Sequence, residues 1–394
     1  MNKMMHILGT IGIAVVLLML GSWLVYGGEG SDDFDPSGDW TRLGYNEGFY
    51  EDGVPMYVHQ ASELKFNFEK CEGDDYSYIM RSEYGDSVWV REGDALTTCN
   101  LWGDHEETIA SLTIKDDVMY ISCVSYDVAW VMACFRDGSS VKETPEYDPF
   151  PSFIKEGLVL EGALVKLIID GEDLTGDNYK LIVDRVESDL FFFRIVNDVT
   201  ETREFVCVNY GNGICMATAI VNSKEYMVDM LRPIDGMVYV ASFDKYDDGE
   251  RFWYAIYGDE SKIEHIDADL EDTRFKGMQT TTLMEDKEIV ECGEQSDVDL
   301  YFLIQENGAV YISTMTEDYD WAQWGGLLYK TKGGYGMIVM SLVLHDGDEY
   351  RGVYMCSLSK DLSTLKVEGS VGFVSNSVAF VQELENKGVT PAYG

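Results

Sequence analysis

Short runs of β-branched and aromatic residues, separated by turns rich in Asp and Gly, recur along almost the whole chain after residue 40. Val, Ile, Tyr, Phe and Trp fit the pleated surface of a strand, whereas Gly and Asp are typical of tight turns. Only the charged stretch 260–271 has room for a helical turn or two. The sequence therefore predicts an all-β fold. The predicted strands are 87–90, 118–124, 129–135, 181–186, 190–196, 204–209, 237–242, 252–257, 309–314, 337–344 and 352–358.

A repeat of about 60 residues runs through this pattern. The strings that begin at Val118, Met237 and Ala309 each form a strand with a central Tyr, followed by an Asp-rich turn and a second aromatic strand. Weaker copies begin at Tyr57 and Tyr179. A unit of that size holds about four strands, which is typical of one blade of a β-propeller. We therefore expect a propeller-like array of five or six blades, with the run 371–381 as the strand that closes the ring.

The turns of these units resemble degenerate Asp-boxes, the hairpins that decorate sialidase-like and sortilin-like propellers. The best match is the segment 247–252, with Lys245 where Ser or Thr is expected. Two weaker matches are 125–127 with Trp130 and 316–318 with Trp324. In that family the box is a folding device remote from the active site, so the resemblance implies a fold and no catalytic role. Unrelated hairpins that share β-propensity and Asp turns are the alternative interpretation.

The chain is strongly acidic, with 29 Lys and Arg against 71 Asp and Glu and a formal net charge of -42. A field of that sign repels phosphate backbones, so nucleic acid is excluded as a partner. A solvated acidic surface adapted to the medium is the simplest interpretation. Hydrophobic residues nevertheless make up 46% of the chain, which is enough to build a packed core.

The first 27 residues contain an uncharged apolar run at 7–26. Twenty residues in a helix cross the hydrocarbon core of a bilayer. Lys3 lies in the short segment before the run, and a cluster of acidic residues follows the run. This charge asymmetry places the N-terminus inside and the remaining chain outside. The run is either a retained signal-anchor or a signal peptide cleaved near residues 25–27. Residues 28–40 are predicted as a Gly/Asp/Ser tether, and 41–394 as one extracytoplasmic all-β domain, membrane-anchored or secreted.

Eight cysteines fit that compartment, because disulfides persist where the medium is oxidising. Cys123 and Cys134 are equidistant from a predicted turn. Cys207 and Cys215 flank a second predicted turn at 210–213, which has the strong hairpin signal Asn-Gly. We expect a disulfide in each hairpin, with buried thiols as the alternative. Elimination then leaves two further pairs of cysteines. These are Cys71 with Cys99 and Cys292 with Cys356.

Calcium is the one cofactor that the sequence suggests. Asp33, Asp35 and Asp39 open a D-x-D-x-S-G pattern, in which oxygen ligands alternate before a glycine turn, but Gly44 occupies the position of the closing Glu. Further acidic groups lie in predicted hairpin turns, and Asp-rich turns also form for local hydrogen-bonding reasons. These candidates are Asp244, Asp247, Asp318 and Asp320.

No nucleophile elbow, phosphate-binding loop, zinc-binding motif or dinucleotide fingerprint occurs in the sequence. This favours a surface binding or adhesion protein for a protein or glycan ligand over an enzyme. Two alternatives stay open. One is a carbohydrate hydrolase with paired carboxylates in a propeller funnel, and the other is a subunit of a cation-bridged surface layer or filament.

Overall fold

The computed structural model describes residues 34–389 except 73–74, 94, 100, 102–107, 116, 126–127, 140–146, 170, 199–201, 222–224, 247–248, 286–287, 317–321, 346–347 and 373–375. Strands in this part of the chain make up three antiparallel β-barrels that follow one another along the sequence. Outside the strands, the described residues contain two single-turn 3-10 helices and no α-helix. The predicted all-β class is confirmed.

The first barrel contains eight strands in sequence order and closes by pairing its first strand with its last. Its strands are β1 (Gly38–Glu51), β2 (Val54–Lys70), β3 (Ser77–Ser82), β4 (Asp86–Glu92), β5 (Ala95–Thr98), β6 (Ile109–Lys115), β7 (Val118–Ser125) and β8 (Val128–Arg136). Inward-facing apolar side chains alternate with outward polar ones along β2, where Leu64, Phe66 and Phe68 are buried and Lys65 and Glu69 are exposed. This period of two places one face of each strand in the core.

The second barrel repeats this plan, and the pairing of β9 with β17 closes it. Its strands are β9 (Val159–Leu167), β11 (Lys180–Val186), β12 (Leu190–Val196), β13 (Thr202–Gly211), β14 (Ile214–Val221), β15 (Glu225–Ile234), β16 (Met237–Tyr246) and β17 (Gly249–Tyr257), with the short β10 (Glu172–Asp173) beside β9. Phe193 and Phe205 stack inside it with ring centroids 4.8 Å apart. The predicted Asn-Gly hairpin joins β13 to β14, and both turn residues have positive φ.

The third barrel closes by pairing its first strand with its last, β18 with β25. Its strands are β18 (Thr273–Glu285), β19 (Glu288–Glu306), β20 (Ala309–Thr316), β21 (Ala322–Lys330), β22 (Gly334–His345), β23 (Asp348–Ser359), β24 (Thr364–Gly372) and β25 (Asn376–Val389). Trp324 and Tyr354 pack inside it with ring centroids 4.5 Å apart. Each barrel therefore has its own aromatic core.

A fourth apolar cluster lies between the barrels and joins them. Val131 of the first barrel, Phe252 of the second and Tyr311 of the third all belong to it. Two glycines allow the sheets to approach closely, because a Cβ at Gly48 would lie 2.8 Å from Val206 and one at Gly325 would lie 3.0 Å from Phe252. The three barrels thus share a continuous buried interface.

The propeller prediction is wrong, and with it the expectation of Asp-box blades around a central funnel. Each sheet closes on itself, whereas a propeller needs separate open sheets arranged around an axis. Tyr120 and Tyr239 lie 119 positions apart on the penultimate strands of two barrels that begin 121 positions apart, at Gly38 and Val159. The likeness of the strings at Val118 and Met237 therefore reflects the repeat of the barrel, whereas Tyr311 lies on the third strand of the third barrel. The run 371–381, expected to be one closing strand, contains the end of β24 and the start of β25.

All eleven predicted strand segments lie within observed strands. The charged stretch 260–271 contains one helical turn, Glu260–Lys262. The predicted membrane segment, 7–26, lies outside the described residues. Across the residues that the structure describes, no helix has the length and apolar character needed to cross a membrane. The predicted domain 41–394 contains the second and third barrels and all of the first except the start of β1, because β1 begins at Gly38, within the predicted tether 28–40.

Candidate functional site

The interior of the first barrel contains a buried arginine, Arg42, whose side chain is only 5% exposed. It lies on the same face of β1 as Trp40, so it points into the barrel among apolar neighbours. Its guanidinium donates hydrogen bonds to Ser62 O at 3.2 Å, to Ser62 Oγ at 3.0 Å and to Met132 Sδ at 3.3 Å. It also lies 5.2 Å from the ring centroid of Tyr45.

No carboxylate among the described residues forms an ion pair with Arg42, and its three hydrogen bonds leave two of its five N–H groups unused. Burial of a charge costs several kcal/mol unless an opposite charge or further hydrogen bonds compensate. A thioether is a weak acceptor and the backbone oxygen of Ser62 carries no charge. The guanidinium is therefore electrostatically incomplete, and an anion with two oxygen atoms would complete it.

Two thiols share this interior with the arginine. Cys134 lies directly opposite Arg42 in the pairing of β1 with β8, and Cys123 lies on β7. Burial raises the pKa of both thiols, and the positive charge of Arg42 opposes that rise. Both groups are therefore neutral and apolar at physiological pH. They do not supply the counter-charge that Arg42 lacks.

A second arginine packs against the segment that leads into the first barrel. Arg136 lies 4.6 Å from the ring centroid of Trp40 and donates to Ser37 O and Asp35 O, both at 2.8 Å. Trp40 Nε1 donates to Pro36 O at 2.7 Å, so the segment before β1 is fixed across the barrel end. Arg42 lies two residues after Trp40 on β1.

The second barrel has a comparable interior, with an acidic side chain in place of the basic one. Asp229 is 0% exposed and lies between the core residues Met227 and Leu231 on the inner face of β15. Its cross-strand neighbours are Ala217 and Ser242, which are both small. This barrel also contains two interior cysteines, so a single buried ionisable group and a pair of thiols occur in each of the first two barrels.

The junction of the barrels contains a buried acid, Glu92, which is 0% exposed. The hydroxyl groups of Thr97 and Tyr210 lie beside its carboxyl group. Burial raises the pKa of Glu92 well above its usual range, and Glu368 of the third barrel adds to the rise. The group is thus held in its neutral form.

A polar network connects the first and second barrels at their surface. Asp189 accepts hydrogen bonds from Asn46 Nδ2 at 2.6 Å and from Tyr57 OH at 3.2 Å. Burial raises the pKa of Asp189, and these two hydrogen bonds oppose the rise. Close by, Tyr50 OH donates to Asp184 at 2.9 Å, and Arg194 holds the same carboxylate with two N–H groups. These polar groups are satisfied by one another, which is typical of a structural contact.

The predicted calcium ligands are only partly described. Asp35 accepts from the backbone N–H of Ser37, and Asp39 accepts from Asn67 Nδ2 at 2.8 Å. Of Asp244 only the backbone is described, in β16. The remaining candidates lie outside the described residues. They are Asp33, Asp247, Asp318 and Asp320. Within the described part of the chain, no three metal-ligating side chains lie together. Calcium binding stays a prediction.

All eight cysteines are described, and the structure holds each of them as a thiol. Cys123 lies opposite Trp130 and Cys134 opposite Met119, so these two cysteines are not direct cross-strand neighbours. Cys215 lies opposite Asn209, which is two residues after Cys207 on β13, so Cys207 and Cys215 are diagonal neighbours on the same face. The remaining four cysteines lie elsewhere, in clusters at barrel interfaces or in the third core. These are Cys71, Cys99, Cys292 and Cys356. The predicted disulfides therefore stay predictions.

Sequence reasoning missed Arg42 and Glu92. The alternation Trp40-Thr41-Arg42 contained a signal, since it places Arg42 on the inner face with Trp40. Glu92 follows a strand of buried residues at the position where a turn is expected, and nothing local marks it as buried. Both groups are recognised only when the barrels are closed and in contact.

No model of a protein family matches the sequence. No curated protein matches it. Among solved structures, isotype 1 transferrin binding protein B from serogroup B Neisseria meningitidis is 9% identical, with a TM-score of 0.23, and the match covers 89% of this chain and 77% of that one. A DUF3598-family protein with unknown function from Nostoc punctiforme is 8% identical, with a TM-score of 0.29, and the match covers 62% of this chain and 100% of that one. A double mutant of transferrin binding protein B from Haemophilus parasuis is 8% identical, with a TM-score of 0.21, and the match covers 90% and 76%. TM-scores this low carry no argument about function.

Proposed function

We propose that this chain is a non-enzymatic binding protein, membrane-tethered or secreted, that acts outside the cytoplasm. The interior of its first barrel takes a small anionic ligand with an apolar body. The buried, unpaired guanidinium of Arg42 is the observation that carries this proposal. An eight-stranded up-and-down barrel can hold one small ligand in its interior.

The residues around Arg42 indicate the chemistry of the ligand. A carboxylate matches the planar fork of a guanidinium and would accept its two unused N–H groups. Met132, Cys123 and Cys134 present soft apolar surfaces beside it, which favour a hydrocarbon or aromatic body over a sugar. The proposed ligand class is therefore a monocarboxylate with an apolar chain or ring.

The acidic exterior modifies how such a ligand enters. A net charge of -42 repels an anion during its approach, so association is slow at low ionic strength. Salt screens the exposed charges at long range and affects the buried guanidinium much less. We therefore expect the association rate to rise with added salt, the opposite of the usual dependence for oppositely charged partners.

Localisation outside the cytoplasm is supported by the sequence alone. The apolar run 7–26 has Lys3 on its short side and acidic residues on the other, and this asymmetry favours export of the remaining chain. Whether the run is retained or cleaved is decided by the mass of the mature protein.

Binding of octanoate to the full chain in lipid nanodiscs tests the proposal, with octanol and octylamine as matched neutral and cationic probes. We expect calorimetry to detect octanoate binding that Arg42→Met weakens about tenfold or more, equivalent to about 1.4 kcal/mol. Lys65→Met removes the same charge from an exposed position on the neighbouring strand and is the control. Equal binding of octanol, or unchanged binding to Arg42→Met, would contradict the proposed site. No binding of any of the three probes would contradict the function itself.

A further inference from the structure

Two cysteines that the sequence did not pair meet at the contact between the first and third barrels. Cys71 lies just after β2 and is buried in an apolar cluster with Ile79 and Val88 of the first barrel. Met284 and Val381 of the third barrel complete this cluster, and Cys292 packs against it from β19. We call this group of residues the thiol interface.

The geometry brings the two thiols within reach of one another. Cys292 Sγ donates to the backbone oxygen of Glu72 at 3.0 Å, and Glu72 is the residue next to Cys71. The position of Cys71 is fixed by the hydrogen bond from its backbone N–H to Ser77 O at 2.9 Å. The sulfur of one cysteine thus contacts the peptide group beside the second cysteine, which is the neighbourhood that a disulfide between them requires.

A β-bulge directs Cys292 toward this contact. Cys292 pairs with Thr282, whereas Glu294 pairs with the adjacent Thr281, so Gly293 is the extra residue and has a φ of 75°. A bulge bends its strand and re-aims the neighbouring side chains. Glycine at the bulge permits this backbone conformation without strain.

The other cysteines occupy separate environments. Cys99 Sγ donates to Ser370 O at 3.3 Å and belongs to the cluster between the barrels. Cys356 lies inside the third barrel. A bond from Cys71 to Cys99, or from Cys292 to Cys356, would therefore join side chains that belong to different clusters.

We propose that Cys71 and Cys292 form a disulfide that links the first and third barrels. Cys292 is half-buried and Cys71 is buried, so a small-molecule disulfide such as oxidised glutathione meets Cys292 first. The Cys292 thiolate attacks one glutathione sulfur and releases one glutathione thiol. The Cys71 thiolate then attacks Cys292 Sγ, which forms the Cys71–Cys292 bond and releases the second glutathione thiol. Each cysteine loses one proton, and the two electrons reduce the glutathione disulfide.

This bond would close a loop of about 220 residues that contains the entire second barrel, and long loops give the largest chain-entropy stabilisation. The link holds together two barrels that are far apart in sequence. It does not depend on ligand binding in the first barrel.

Trypsin separates the relevant cysteines, so peptide mapping tests the link in the wild-type chain. Cleavage after lysine and arginine leaves Cys71 in peptide 71–81, Cys99 in 92–115, Cys292 in 288–330 and Cys356 in 352–360. The full chain in nanodiscs is treated with oxidised glutathione, alkylated under denaturing conditions without reductant, digested and analysed by mass spectrometry. We expect peptide 71–81 linked to peptide 288–330, two hydrogen masses below the sum of the separate peptides.

Any other linkage of either peptide overturns the proposal, and so does recovery of both peptides in alkylated form. A second measurement uses Cys292→Ser, with Cys356→Ser as the matched control. Reductant should lower the thermal midpoint of the oxidised wild type and of Cys356→Ser by several degrees more than that of Cys292→Ser. An equal response of all three proteins to reductant also overturns the proposal.

Discussion

The first and second barrels span the same number of residues and enclose ionisable side chains of opposite type, one basic and one acidic. Gly38–Arg136 and Val159–Tyr257 each span 99 residues, and both barrels have eight main strands that close first on last. Each encloses two cysteines and one ionisable side chain, Arg42 in the first and Asp229 in the second. The same barrel plan therefore encloses a basic side chain in one case and an acidic side chain in the other. Binding chemistry on such a scaffold depends on single interior positions.

Reversal of the charge inside the first barrel is the strongest test of this comparison. We expect Arg42→Glu to destabilise the protein by about 4 kcal/mol, because a carboxylate there would face Ser62 O and Met132 Sδ, and the Ser62 hydroxyl group is the single donor among the hydrogen-bond partners of Arg42. The measurement is the free energy of unfolding in urea.

Lys65→Glu makes the same change of charge on the exposed face of β2 and should cost no more than about 0.5 kcal/mol. Equal effects of Arg42→Glu and Lys65→Glu would show that the interior of the first barrel does not distinguish the sign of a charge.

Replacement of the acid at the barrel junction gives a smaller effect that depends on pH. Because burial raises the pKa of Glu92 in the folded state, its contribution to stability is present below the unfolded pKa of about 4.5 and is lost as the pH rises. Glu92→Gln cannot ionise, so its stability relative to the wild type should increase between pH 5 and pH 8, by up to about 1.4 kcal/mol per pH unit. Thermal midpoints across this range provide the measurement.

Glu383→Gln removes an exposed carboxylate of β25 and is the matched control for the overall charge. If the thermal midpoints of both variants, relative to the wild type, change equally with pH, Glu92 is ionised in the folded protein and the junction resembles the solvent-exposed surface.

The contact between the first two barrels should show the smallest effect. Tyr57→Phe removes the hydrogen bond to Asp189 Oδ1 and should cost about 1 kcal/mol. That bond lowers the pKa of Asp189, so its loss raises the pKa further, and the cost should be larger at pH 8 than at pH 5. Chemical denaturation at the two pH values measures both effects. Tyr335→Phe, in the third barrel, serves as the control, and a pH-independent cost for Tyr57→Phe would contradict the ionic role of this contact.

The positions of the strands could be predicted from the sequence, because strand and turn propensities act locally. The run 190–196, for example, coincides with β12. The closing pairs could not be predicted, since Trp40 meets Arg136 across almost a hundred residues and no local pattern specifies that partner. The similar strings around Tyr120 and Tyr239 were real, but each marks a penultimate barrel strand rather than a propeller blade.

The candidate site was less predictable than the fold. Arg42 reads as an ordinary exposed residue in a chain with many charges, and the alternation that places it inward with Trp40 ends at the register shift between Arg42 and Gly44. The cysteines were recognised as chemically important, but their pairing depends on which barrels touch. Cys71 and Cys292 are neighbours only because β19 bulges at Gly293 beside the first barrel.

The closure of each barrel on its own last strand has a consequence for biosynthesis. Because no strand is exchanged between barrels, each one has all its hydrogen-bonding partners as soon as its eighth main strand has emerged. The first barrel can therefore fold while the second is still being made, and the waiting time for its first strand is set by about 100 residues of synthesis, about 5–20 s at typical elongation rates. During that interval the unpaired edge of β1 is open to pairing with other chains.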